Sequence, residues 1–381
     1  MKTRSFFFTR VVVILWIVLF GINAIADPKK ININSIKTFF DQRFKNYKNK
    51  QVLGERILSP NSVKRLYLVE FPLEDMPDEE KAKLLENEDP EAFYYGYGGE
   101  IDYEKARLIA YSHLGKTPKG ERLSLAALSV LMMIYGNGQG VKSNFELAQF
   151  FAVVEGGSHF ELTGELMDLE ERKSKGWKGE EFSFCDHTTS GFREGYCKRI
   201  HRDLQRFRHN KAFLILSQHW TPPQIQAFER LKKKALRYFL SQSQNEIDGS
   251  GSAGTAFILE EEMNHHDAFK KLIEQLEENE ISSFSKEEFD ESNKNLKTAC
   301  KDACEYLVRS EEKFIDLIGF KKEDLKKTQQ DWAQYRDAFF NFSRVRYPKV
   351  SKNTLGKILT DMRIEELQRI RGCPLTNPYA I

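Results

Sequence analysis

The densest set of side chains able to do chemistry is Glu260-Glu261-Glu262, followed by His265, His266 and Asp267. On a helix, Glu261 shares a face with His265, and Glu262 with His266. Carboxylates and imidazoles are metal-ligand types. Zinc-peptidase chemistry, however, needs two histidines four apart with a glutamate beside the first, and this segment lacks that pair. The expectation is a solvated helix face holding no metal. His187, close to Cys185, suggests a thiol–imidazole couple for nucleophilic catalysis, but a disulfide from Cys185 to Cys197 would remove the nucleophile. His201 and His209 stand among Arg202, Arg206 and Arg208, a run expected to be an exposed basic face or a docking surface for an acidic partner. Gly249, Gly251 and Gly254 lack the lysine and Ser/Thr that end a phosphate loop. No residue is assigned a catalytic, cofactor-binding or metal-ligating role, and the chain is expected not to be an enzyme.

Five cysteines are present: Cys185, Cys197, Cys300, Cys304 and Cys373. Cys185 and Cys197 close the short segment FCDHTTSGFREGYC and are the first choice of disulfide. Cys300 and Cys304 stand four apart in a helical stretch and either stay reduced or bridge elsewhere. An odd total leaves at least one thiol over. An oxidising destination follows from the first 26 residues. Lys2, Arg4 and Arg10 precede the apolar run Val11–Ile22, and Ala24-Ile25-Ala26 supplies a small-x-small cleavage site. Residues 1–26 are therefore expected to be a cleaved signal peptide. Its apolar run is shorter than the roughly 20 residues that span a bilayer. No later stretch is apolar enough either, so no stable membrane insertion is expected after cleavage. With 58 basic and 56 acidic residues, charge gives no reason to expect nucleic acid as a partner.

Those groups must be positioned by helices, in two domains, since the chain is long for one core. Residues 27–89 read as an irregular lead-in, with a short helix near Ile36–Tyr47 and a charged one at Glu79–Glu88. Over 90–175 the chain repeats itself. YGYGGEIDYEKARLIAYSHL, from Tyr95, compares with YGNGQGVKSNFELAQFFAVV, from Tyr135. Tyr95 matches Tyr135, Gly96 matches Gly136 and Gly98 matches Gly138. After a two-residue length difference, Tyr103 matches Phe145 and Ala106 matches Ala148. Glycines permit the tight turn between helices, and the alanines let helices approach. Leu125, Leu128, Leu131 and Met132 should line the seam. Gly156-Gly157 and His159–Leu169 begin a third unit. The pattern resembles the Sel1-like repeat, a relative of the tetratricopeptide repeat, which implies a short helical-hairpin solenoid and a surface that binds proteins or peptides.

From 182 to 373 long amphipathic helices dominate. Trp177–Glu181 reads as a turn-like linker before them. Thr221-Pro222-Pro223 opens a helix with a buried stripe at Ile225, Phe228, Leu231, Ala235, Tyr238 and Phe239. Others are expected at Thr255–Glu277, Glu287–Leu317, Lys322–Val345 and Ser351–Arg371, with 374–381 as a tail. LKKTQQDWAQYRDAFF places Leu325, Gln329, Trp332, Arg336 and Asp337 on one helix. LTDMRIEELQRI places Thr360, Arg363 and Leu367 on the next. This stretch resembles the LprI-like lysozyme-inhibitor domain of exported bacterial proteins. The sequence departs from that pattern where the family has two cysteines, at places filled by residues such as Phe339, Phe340 and Leu355. Read from the residues alone, the motif positions look structural, with Arg336 expected to pair with Glu365 or Glu366. The fold class is thus all-α: a short Sel1-like helical-hairpin solenoid followed by an LprI-like helical bundle.

The resemblance implies a periplasmic or secreted bacterial protein that binds a protein partner, lysozyme or an envelope component, and inhibits lysozyme by occluding its cleft. Candidate contacts are Arg344, Arg346 and Lys349 in the turn after the tryptophan helix. The second set is Asp186, His187, Ser190 and Arg193 in the disulfide segment. The alternative is an envelope interaction scaffold that uses its repeats.

Overall fold

The computed structural model describes residues 37–38, 40–42, 45, 60–116, 124–176, 179–313 and 321–372. The expected signal peptide, half of the expected lead-in helix, Trp177, Cys373 and the tail lie outside the described residues. What is described is all-α, with no strand among the described residues. No helix there is long and apolar enough to cross a membrane. The chain divides into two compact units, Met1–His187 and Thr188–Ile381.

The first unit carries α1 (Pro60–Tyr67), α2 (Glu79–Leu85), α3 (Pro90–Tyr95), α4 (Tyr103–Lys116), α5 (Leu125–Asn137), α6 (Phe145–Glu155) and α7 (His159–Lys175). From α3 to α7 each helix packs on the next. α5 is apolar on all sides and buried from Ala127 to Gly136, as a helix at the centre of a stack must be. The two turns are the same structure repeated, in a register that differs from the expected match. Gly96 ends α3 with φ 76° and Gly138 ends α5 with φ 70°. The left-handed conformation there is the reason for glycine. Gly136 is not its counterpart: it is helical, and its face packs against Leu169. From each capping glycine the chain runs the same distance to an Asx cap. Asp102 accepts from Lys105 N at 2.9 Å, and Asn144 from Leu147 N at 3.0 Å. Asp102 N donates to Phe93 O, and Asn144 N to Tyr135 O, both at 2.9 Å. With Gly96 set on Gly138, the two-residue length difference disappears.

The second unit carries α8 (Gly191–Leu216), α9 (Pro222–Asn245), α10 (Gly254–Glu278), α11 (Lys286–Lys313), α12 (Lys322–Arg346) and α13 (Lys352–Gly372). α9 packs on α12 and α10, α8 on α10, and α11 on α13. One apolar core runs through these helices, built on Phe228, Phe239, Phe269, Trp332, Tyr335, Phe339 and Phe342. The helix boundaries fall within a few residues of those expected. Ile225, read as the start of the α9 stripe, is exposed, while the later stripe positions are buried. α8 begins inside the segment read as a disulfide loop. Its first residue, Gly191, lies so close to the backbone of Ser252 and Ala253 that a Cβ would stand 2.3 Å away. Glycine here marks close packing inside a helix rather than a loop.

Candidate protein-interaction surface

The motif positions of α12 and α13 are mostly interior. Leu325, Trp332, Thr360, Arg363 and Leu367 are all buried. Arg363 is the hub. Its guanidinium donates to both oxygens of Glu246, at 2.6 and 2.8 Å, to Glu366 at 3.1 Å and to Gln329 Oε1 at 3.0 Å. Tyr238 donates its hydroxyl to Glu366. Burial pushes the Tyr238 phenol pKa well up, and the Glu366 carboxylate pushes the same way. Burial also pushes up the Glu246 carboxyl, with Arg363 opposing it. The acid partner expected for Arg336 therefore belongs to Arg363. Arg336 instead lies 4.7 Å over the Trp332 ring, beside exposed Asp337 at 3.8 Å.

The Glu/His segment is not a solvated face. Glu261, Glu262 and His265 are buried, because helices on both sides bring cations to the carboxylates. Arg369 holds Glu261 at 2.7 Å, and Arg206 holds Glu262. His265 Nε2 meets Gln242 Oε1 at 2.8 Å, and its ring stacks on Phe239. Burial lowers His265 to about 4 and His266 to about 3. His209, expected on an exposed basic face, is buried with Nε2 3.0 Å from Asp267. Among the described residues no three His, Cys, Asp or Glu side chains are placed to hold a metal ion.

Arg344 and Arg346, expected in the turn, lie in the last helical turn of α12, and only Lys349 is in the turn that leads to α13; together they present cations on a stiff support. Arg346 forms a two-pronged pair with Glu277, Nε at 2.9 Å and a terminal nitrogen at 2.7 Å. Tyr347 donates to the same carboxylate at 2.7 Å. The guanidinium also lies 5.2 Å over the Trp220 ring. Ser351 then caps α13, accepting from Thr354 N at 3.0 Å. Arg346 is thus a strut and not a free contact. Arg344 and Lys349, on either side of it, are exposed. Among the described residues neither has a charged partner.

The disulfide segment divides differently. Cys185 and Cys197 are disulfide-bonded. Asp186 is exposed and accepts from Ser183 N at 2.9 Å. His187 Nε2 lies 3.3 Å from Asp168, which Arg172 also holds at 2.6 Å. Ser190 caps α8, accepting from Arg193 N at 3.3 Å. Arg193 itself is 2% exposed. As a contact for a partner it is corrected to an interior residue, since it lies on the inward side of the first turn of α8, while Phe192 beside it is exposed. Cys300 and Cys304 are free thiols.

Sequence reasoning passed over Glu277, Glu246 and Gln242. Each is one polar residue among several at or near a helix end, and only the partner that arrives from a distant helix gives it a role. No known family model, curated protein or solved structure matches the chain.

Proposed function

We propose that this is an exported, non-catalytic binding protein that acts by entering the cleft of an enzyme lined with carboxylates, lysozyme being the target its LprI-like motif implies. The reading is carried by the end of α12 and the turn after it, where Arg344 and Lys349 project from a support fixed by Arg346, Glu277 and Tyr347. A lysozyme cleft holds two carboxylates, which suits two exposed cations that have no charged partner among the described residues. Preorganisation by the Arg346–Glu277 pair limits the entropy lost on docking. The buried acids Glu246, Glu261, Glu262 and Glu366 are engaged by arginines and a tyrosine, and His265 by an amide and a ring, which favours a structural role for them over catalysis. The N-terminal segment and the Cys185–Cys197 bond favour an oxidising compartment, periplasmic or extracellular.

The test is lysozyme activity titrated with the oxidised protein. Stoichiometric inhibition is expected, and the double charge reversal Arg344→Glu, Lys349→Glu should raise the half-inhibitory concentration at least tenfold. Absence of inhibition at large excess, or inhibition indifferent to the reversal, rejects the reading.

A second reading, an envelope interaction scaffold, is favoured by a cleft of about 490 Å³ in the first unit. Asp75, Tyr135, Lys142, Asn144 and Lys173 line it, beside the α5–α6 turn. Its mixed charge suits an extended peptide. Capture of an envelope partner by the full chain, lost on Lys142→Glu and retained in the Arg344/Lys349 reversal, would favour this reading.

A further inference from the structure

A separate cavity of about 240 Å³ opens in the second unit among α8, α9 and α10. It is smaller than the roughly 300–1,000 Å³ of sites for drug-sized ligands, and suits one ring with a short substituent. Its apolar wall is made by Phe213, Phe239 and Phe269. Phe269 stands edge-on to both other rings, at 5.8 and 6.0 Å between centroids. Packed edges and faces of this kind receive a further aromatic ring.

The polar side of the cavity is supplied by Arg206, His209, His266 and Lys232. Three nitrogens of these residues, Arg206 Nε, His209 Nδ1 and His266 Nε2, are buried with no hydrogen-bond partner in the protein. Buried polar atoms are almost always paired, because leaving one unpaired is costly. Three such atoms on residues lining one cavity point to a group that arrives from outside.

The chemistry of that group can be read from the nitrogens. His209 Nε2 faces the Asp267 carboxylate at 3.0 Å and therefore carries the ring proton. Nδ1 of the neutral ring is then an acceptor, which wants a hydroxyl. Arg206 Nε–H is a donor, which wants an oxygen. Arg206, held by Glu262, and Lys232 are both partly exposed. Lys232 pairs with the exposed Glu229 at 2.7 Å, a surface pair worth little, so its ammonium can turn to a carboxylate at the mouth. Two imidazoles are also metal-ligand types. Asp267 already faces His209 Nε2, Glu262 is already held by Arg206 with Arg202 at 3.9 Å, and guanidiniums beside the site repel a cation.

We propose that this cavity binds a small aromatic hydroxy acid, its ring among Phe213, Phe239 and Phe269, its carboxylate at Arg206 and Lys232, and its hydroxyl toward His209. The site is independent of the α12–α13 turn, so its test stands apart from lysozyme inhibition.

The experiment is calorimetric titration of the full chain with 3-phenyllactate. The comparison probes are 3-phenylpropionate, which lacks the hydroxyl, and 3-phenyllactamide, which lacks the charge. Saturable one-to-one binding is expected, weakened roughly tenfold with either comparison probe, since each loses one charge-assisted or buried hydrogen bond. Lys232→Gln, a change on the exposed rim, should weaken 3-phenyllactate severalfold with an unchanged melting curve. Ala235→Leu, which fills the cavity, should abolish binding. No saturation at millimolar 3-phenyllactate, equal binding of acid and amide, or affinity unaffected by Lys232→Gln would each overturn the proposal, whether or not the Ala235 variant folds.

Discussion

Arg363 and Glu246 meet through two hydrogen bonds, at 2.6 and 2.8 Å, although 117 residues apart in sequence. Neither side chain is exposed to solvent. Desolvating both groups is expensive, so the pair is not a large net source of stability. Removing one partner is another matter, because the remaining charge is stranded. Arg363→Met should cost about 3–5 kcal/mol in urea unfolding. Glu246→Leu combined with Arg363→Met should cost less than Arg363→Met alone. A double variant no more stable than the single one would contradict this account of the pair.

Acid should weaken the second unit through its histidines. His265 is held at about 4 and His266 at about 3, in both cases mainly by burial. Unfolded histidine titrates near 6.5, so the unfolded chain binds more protons below that pH. The stability is full above about pH 6.5 and is lost as pH falls toward the folded values. At pH 4.5 His265 alone accounts for about 2–3 kcal/mol. His265→Gln removes this titrating group, so its urea midpoint should fall less between pH 7 and 4.5 than that of the parent. Equal falls in the two proteins would remove His265 from the explanation.

The repeated turn makes a paired prediction in the first unit. Asp102→Ala and Asn144→Ala each remove a cap bond of the same geometry, at about 1 kcal/mol apiece. Gly96→Ala and Gly138→Ala each place a Cβ on left-handed backbone, costing about 1 kcal/mol. Thermal unfolding of the four variants should give two matched pairs. A costly Gly138→Ala beside a neutral Gly96→Ala would show that the two turns are not equivalent.

The helices were legible because their signals are local. Pro222-Pro223 opens α9, the apolar spacing of Phe228, Leu231 and Ala235 buries one side of it, and Pro348 separates α12 from α13. The burial of Glu261 and Glu262 was not legible. Their polar types suggest solvent, and the cations that admit them to the interior come from Arg369 and Arg206, on other helices. Arg346 was misread for the same reason. A basic residue beside a turn looks free until Glu277 is found behind it. The start of α8 was hidden by Gly191, whose value is the close approach of a distant backbone.

The disulfide should matter to stability in proportion to the chain it closes. Cys185 and Cys197 span a short segment that includes the cap Ser190 and the first turns of α8. Cross-linking removes freedom from the unfolded chain, worth about 3 kcal/mol for a loop of roughly this size. Cys185→Ser with Cys197→Ser should lower stability by about that amount in oxidising buffer, and reductant should then have no further effect on the variant. The free thiols provide the control. Burial pushes the Cys300 thiol up, so its thiolate is scarce at pH 8 and alkylation should be slower than for free cysteine. Alkylation of Cys300 in the folded protein as fast as in urea would mean that α11 opens readily, and the stability assigned to the disulfide would then need measuring on a Cys300→Ser background.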